Sequence, residues 1–451
     1  MENSKPPGPK GVFLLGNIRQ FQGTDRLEFL QSCQRQYGDV VHFRLLNRDV
    51  YQFNHPDHIH QILVKDAALF HKSPMFKRVT QDIIGNGLLT SDGDFHRRQR
   101  RLMQPAFHPR RIATYADVMV DYTGRMLDDW QNGAVYDLHE AMMKLTMQIV
   151  AKTLFDADVS KEADAIGQAI TIGVETAGER ITRAFQLPDW LPTAGNRQRR
   201  RSAQLLEETI MGMIDERRAS GEDKGDLLSM LLLAQDEDDG RMMTDQQVRD
   251  EATTLFIAGH ETTANALSWI LYLLAQHPEV EAKLLDELET LLAGRPPTVD
   301  DLHRLRYTEM IVKESMRLYP PAWIISRFAT EDVEVGDYTL KAGSIVLISQ
   351  YVMHRHPDHW AEPECFIPER FEDESRIHKY VYFPFGGGPR ICIGNHFALM
   401  EATLVLATLM QRIQFALEPG QQIKPLPLIT LRPSPAILMR VAAREPAMVA
   451  L

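Results

Sequence analysis

The stretch Phe383–Gly394 reads FPFGGGPRICIG. Three glycines, a proline and an arginine lead into Cys392, one of three cysteines in the chain. Glycine gives backbone freedom and close approach at an entropic cost, so the segment gives up much to present one sulfur. A phosphate-cradling loop would run its glycines into a helix with a lysine or a G-x-G-x-x-G spacing. Here Pro389 follows the glycines and no lysine does. A zinc site needs several Cys or His at short spacing, and Cys392 has only His396 nearby. A structural cysteine acting as a small hydrophobe is the default for a lone thiol. It explains neither the glycines nor Arg390.

The residues downstream decide between these readings. Asn395–Gln411 has the pattern of an amphipathic helix, with Phe397, Met400, Leu404 and Leu406 among its apolar positions. Cys392 thus stands just before a helix N-terminus, where the dipole favours thiolate. A glycine-rich backbone admits N–H groups and a flat ligand close to that sulfur. A single thiolate with an aromatic residue upstream, Phe385, suits haem iron.

A second unusual segment lies in the strongest helical pattern. Thr244 opens TDQQ, a capping box with Gln247 at the third helical position, and the pattern runs to about Gln276 before Pro278 stops it. Its middle, AGHETT (Ala258–Thr263), sets a glycine, two charge-capable groups and two hydroxyls between Leu255 and Leu267. A buried helix does not tolerate those without a reason. Ala258 and Thr262 are four apart and share a face, and the Thr262 hydroxyl can bond back to the Ala258 carbonyl, loosening the helix.

Together these segments resemble the cytochrome P450 family. The resemblance runs from PPGPKG near the start to LPLITLRP near the end. It implies a mainly helical α+β fold, a triangular-prism body with a long central helix and a small sheet region, and one domain over residues 1–451. It implies haem b (iron protoporphyrin IX) with Cys392 as axial ligand, Phe385 packed by the sulfur, Arg390 facing a haem propionate, and Gly394 letting the next helix approach the porphyrin. AGHETT matches the oxygen-activating segment, so Ala258 and Gly259 line a groove for dioxygen while Glu261 feeds protons that Thr262 positions. ESMR (Glu314–Arg317) is similar to the family's E-x-x-R, and PERF (Pro368–Phe371) offers Arg370 as a third member of that buried network. HRRQRR (His96–Arg101) falls where the family often has a tryptophan. Here His96 replaces it, and Arg100, four residues on, joins it at one propionate. Arg327 matches a further propionate partner. The family's substrate pocket maps onto Phe76, Leu89, Leu255, Trp323, Ile324 and Ile429. HRHPDH (His354–His359) tempts a metal assignment, but similar loops in the family are structural turns.

Composition agrees and excludes other classes. The chain has 451 residues, 44% hydrophobic and 25% charged, with a net charge of −11. Nucleic-acid binders usually carry a basic footprint. The clusters RRQRR (Arg97–Arg101) and RQRRR (Arg197–Arg201) read as solvated helix faces. The start, MENSKPPGPKG, is polar, with no secretory signal or membrane anchor, and the cysteines are odd in number. A soluble, monomeric cytoplasmic protein is expected. Length alone suggests two to four domains, but GEDKGD (Gly221–Asp226), QDEDDGR (Gln235–Arg241) and AGRPPT (Ala293–Thr298) read as surface loops or turns rather than linkers. Strand signal is confined to Val40–Asn54 and Ser326–Gln350.

The expected activity is a haem-thiolate monooxygenase. It inserts one atom of O₂ into a lipophilic small molecule such as a fatty acid or terpenoid. With no flavin or iron–sulfur motif in the chain, electrons come from a separate ferredoxin or flavodoxin. A peroxide-driven relative would lack the Glu261–Thr262 pair. A non-catalytic haem sensor would need the thiolate but no proton relay.

Overall fold

A computed structural model describes residues 5–23, 25–182, 190–235, 240 and 242–444. Its central element is the 30-residue helix Asp245–Leu274, about 45 Å long at 1.5 Å per residue. The capping box forms in both directions. Gln247 N–H donates to Thr244 Oγ1 at 3.3 Å, and Thr244 N–H donates to Gln247 Oε1 at 2.8 Å. The helix ends at Leu274, and Pro278 opens the next one. Phe256, Leu267, Ile270 and Leu271 pack into one apolar core with side chains from the Leu138–Phe155, Arg306–Leu318 and Asn395–Arg412 helices. Each such fully buried side chain is worth about 1.5–3 kcal/mol.

Val40–Leu45 and Arg48–Phe53 form the antiparallel hairpin expected of Val40–Asn54, with Val40 opposite Phe53. The second strand continues a five-stranded sheet, parallel to Ile345–Ile348, which pairs with Ile325–Ala329; Phe70–His71 lies at the edge. The last pairing sets His71 opposite Phe328. It therefore brings Lys72 alongside Arg327.

Strand structure is not confined to two regions. Val135–Asp137, Leu438–Ala443 and Ile413–Leu417 form a further sheet, and Lys424–Pro427 pairs with Leu431–Ser434 across the stretch singled out as LPLITLRP. These strands are three to six residues long, too short for periodicity to mark them. The charged segment Gly221–Asp226 is only partly a surface loop. Asp226 is buried, caps the Leu227–Leu233 helix through Ser229 N–H at 2.9 Å, and pairs with buried Arg217 at 2.7 Å. Arg199 within RQRRR is likewise buried. Most of Gln235–Arg241 lies outside the described residues.

Candidate active site

The cysteine loop is held by hydrogen bonds from its backbone N–H groups at both ends. Phe383 N–H donates to His354 Nε2 at 3.0 Å, and Cys392 N–H donates to the Phe385 carbonyl at 2.9 Å. Gly388 has φ +65°, and a Cβ there would sit 1.8 Å from the Leu63 carbonyl oxygen. Only glycine meets both conditions. The loop delivers Cys392 at the start of the Asn395–Arg412 helix with its side chain open to surface. Protein nonetheless encloses it so fully that burial raises the thiol pKa, while the Gly394 N–H and the Arg100 charge pull it down. The expected helix-end lowering is therefore outweighed by burial. A side chain both open and enclosed faces an internal space.

Behind the loop, Glu314 and Arg317 are wholly buried and joined by two bonds, at 2.7 and 2.9 Å. Arg317 also donates to the carbonyls of His354, Pro363 and Cys365. Glu314 accepts from Ile367 N–H at 2.9 Å and lies 3.4 Å from Arg370. This network braces the segments leading into the loop and stays on the protein side of it.

In front of the loop gather several cationic side chains, buried at Arg327 and half-buried at Lys72, Arg100 and Arg390. Arg100 Nη1 donates to the Ile391 carbonyl at 2.7 Å, next to Cys392. Arg390 donates to the Ser91 carbonyl at 2.8 Å and pairs with Asp92. Arg327 is 6% exposed; burial, then Arg390, brings its pKa down to about 10. Burial and the charges of Arg327 and Arg390 hold Lys72 well below the usual lysine range. His96 is pushed to about 4 by burial, Arg390 and Arg100, so it is neutral near pH 7. Against these groups stands Asp92, already shared between Lys77 at 2.6 Å and Arg390. Buried cations are stable when paired, so the cluster has the chemistry of a seat for carboxylates. A Cβ on Gly394 would meet only the Phe107 ring edge at 3.7 Å, leaving open the face where a flat macrocycle would lie. The residues present fit haem. Lys72 and Asp92 were not legible in the sequence: strand register and loop geometry, not a motif, recruit them.

The middle of the central helix breaks its own burial pattern. Ala258 is exposed although Leu255 and Phe256 before it and His260 and Glu261 after it are buried. Thr262 Oγ1 donates to the Ala258 carbonyl at 2.9 Å, the expected back-bond. Gly259 has a packing reason as well: a Cβ would lie 3.0 Å from Val150 of the Leu138–Phe155 helix. Glu261 departs from expectation. It is 2% exposed, accepts from Thr430 Oγ1 at 2.5 Å and pairs with Arg432 at 3.1 Å. It is committed to the C-terminal hairpin rather than waiting beside Thr262, because a buried carboxylate needs a partner and Arg432 is the one the fold supplies.

The six pocket residues divide. Leu255 is buried in the helical core, and Ile429 packs partly buried against it. Phe76 lies under the Lys72 ammonium at 5.7 Å, and Leu89 is exposed. Trp323 is buried. Its indole N–H donates to the Leu428 carbonyl at 3.0 Å, and its ring is buried with Leu27, Phe29 and Phe43, where Ile324 also packs. The HRHPDH histidines serve structure: His354 holds Phe383, and His356 lies 2.8 Å from Gln34 and 3.1 Å from Asp39.

Comparison with known proteins gives the same answer. Residues 6–440 match the family model for Cytochrome P450. The chain is 41% identical over 431 residues to cyclooctatin synthase of Streptomyces melanosporofaciens, covering 95% of this chain and 93% of the relative. It is 37% identical to cyclooctat-9-en-7-ol 5-monooxygenase of the same organism, covering 91% and 90%. It is 35% identical to pentalenene oxygenase of Streptomyces avermitilis, covering 97% of each. Among the described residues no helix is long and apolar enough to cross a membrane.

Proposed function

The chain belongs to the cytochrome P450 family, whose members are haem-thiolate monooxygenases supplied with electrons by a separate redox partner, and from that premise we propose that the Cys392 thiolate would hold the haem iron and that the substrate is an alicyclic terpenoid. The observation that carries the ligand assignment is Cys392, enclosed yet open on one face, with Arg100 beside it and an under-neutralised cluster of Lys72, Arg327 and Arg390 nearby. Haem b bound there would supply dioxygen binding and reductive O–O cleavage, which a thiolate ligand favours. Lys72, His96, Arg100, Arg327 and Arg390 hold its carboxylates. The family match over almost the whole length supports a single domain over residues 1–451.

Thr262 holds a proton at the groove over Ala258 and Gly259. Glu261 relays protons to it once its pair with Arg432 parts. Leu255, Leu89, Phe76 and Ile429 offer the apolar walls. The relatives named for cyclooctatin, cyclooctat-9-en-7-ol and pentalenene favour a compact ring skeleton over a fatty acid. Three unpaired cysteines suit a reducing cytoplasm, where the partner is a ferredoxin or flavodoxin and the enzyme works as a monomer. Cys392→Ser is the direct test. The reduced carbonyl complex should lose the red-shifted Soret band of a thiolate ligand, and turnover should stop. Survival of that band with full activity would overturn the assignment.

A further inference from the structure

Between the Pro74–Ile84 helix and the Gly93–Met103 helix the chain passes through Gly85–Asp92, GNGLLTSD. Three residues of the central helix grip the front half of this loop by its backbone. Asn86 N–H donates to Asp250 Oδ2 at 2.8 Å, and Leu88 N–H donates to Glu251 Oε2 at 2.8 Å. Thr254 Oγ1 donates to the Ile84 carbonyl at 3.4 Å. The loop is shaped to be gripped. A Cβ on Gly85, at φ +60°, would fall 2.1 Å from Asp250 Oδ1, and one on Gly87 would fall 2.3 Å from Thr254 Oγ1. Thr90 Oγ1 closes the turn from inside, on the Gly85 carbonyl at 2.9 Å.

The carboxylates are not ordinary surface groups. Asp250 is 6% and Glu251 1% exposed. Asp250 is steadied by Gln246 at 2.7 Å and Arg249 at 2.9 Å. Glu251 has Leu88 N–H on one oxygen and no partner on the other among the described residues. Burying a carboxyl this way is costly, and what it secures is the position of Leu88 and Leu89. The rear of the same loop ends on the cation cluster, where Ser91 and Asp92 receive Arg390. One turn along the helix from the grip, at a spacing of four, come Leu255 and Ala258, the residues of the groove.

We propose that Asp250, Glu251 and Thr254 are positioning residues that fix the Ile84–Leu88 backbone to the central helix and thereby decide how Leu88 and Leu89 shape the pocket above Ala258 and Thr262. The inference rests on the placing of the pocket given above, and the two fail separately. The first measurement is amide hydrogen exchange of peptides spanning residues 80–92 in the ferric holoenzyme. Asp250→Ala and Glu251→Ala should exchange there about tenfold faster, the loss of a bond to a carboxyl group, with exchange elsewhere unchanged. Glu251→Gln should restore protection, since its amide oxygen still accepts from Leu88 N–H. Gly87→Ala, which leaves both acids in place but drives a methyl into Thr254, should act like the alanine variants, and it decides the matter if those fail to fold. The second measurement is spectral titration with imidazole and with 4-phenylimidazole. Affinity for the bulky probe should shift several-fold while affinity for imidazole holds. Unchanged exchange in residues 80–92 overturns the grip. Faster exchange with both affinities unchanged overturns the placing of Leu88 and Leu89 at the pocket.

Discussion

At the scale of single residues, His354 shows how a side chain remote from the chemistry can govern it. Its Nε2 accepts the Phe383 N–H at the mouth of the cysteine loop, so it must stay unprotonated for the loop to hold. Burial, then the charges of Arg317 and Arg355, brings its pKa down to about 3. An unfolded histidine titrates near ~6.5. The sign follows. Between these values the unfolded chain binds a proton that the folded chain refuses. The contribution of His354 is thus complete above about pH 6.5 and is lost as pH falls towards 3. Each unit of separation is worth up to ~1.4 kcal/mol. Urea midpoints measured from pH 7 to pH 4 should therefore fall steeply for the wild type and less steeply for His354→Gln, whose amide oxygen can still accept from Phe383 N–H. Parallel slopes would show that His354 is not the titrating group.

At the scale of elements, two buried ion pairs look alike and were unequally legible. Glu314 and Arg317 are three apart on one helix, so the motif contains both partners and the geometry follows from the helical repeat. Glu261 and Arg432 lie 171 positions apart, and nothing local to AGHETT announces a guanidinium arriving from the C-terminal hairpin. The same division runs through the fold. The Val40–Phe53 hairpin, the capped central helix and the helix after Cys392 are written in local patterns. The Asp137–Leu438 pairing and the approach of Lys72 to Arg327 are products of register between distant short strands, which carry no periodic signal. The seat of the Trp323 indole was hidden for the same reason, since the carbonyl that binds it lies 105 residues away. The Glu314–Arg317 pair also permits a firm expectation. Removing either partner leaves a wholly buried charge unpaired, at a cost of about 3–5 kcal/mol. Because the pair braces the carbonyls of His354, Pro363 and Cys365, Glu314→Ala and Arg317→Ala should both yield haem-poor protein of low thermal stability. Normal haem incorporation in both variants, read from the ratio of Soret to protein absorbance, would contradict that bracing role.

At the scale of the whole molecule, the difficulty is electron delivery to an acidic protein. With a net charge of −11 the chain repels an acidic ferredoxin or flavodoxin at long range. Productive encounter then depends on a local reversal of sign near Cys392. The Gly93–Met103 helix supplies one. Arg100 is turned inward onto the Ile391 carbonyl, and His96 is buried on the same side. Arg97 and Arg101, three before and one after Arg100, are exposed at the surface, with Arg97 paired to Asp94. Arg110 is exposed a short way along the chain. Arg100 thus faces inward to the proposed cofactor seat, while Arg97 and Arg101 on the same helix face outward. Reversing Arg97 or Arg101 to glutamate should slow reduction by an acidic partner at low ionic strength and flatten the salt dependence of that rate, because steering rather than fit is lost. Haem content and the affinity for 4-phenylimidazole should stay at wild-type values, since neither residue reaches the interior. Stopped-flow reduction of each single reversal and of the pair decides the matter. If all three keep the wild-type rate at low salt, the patch is an ordinary solvated arginine face and the partner docks elsewhere.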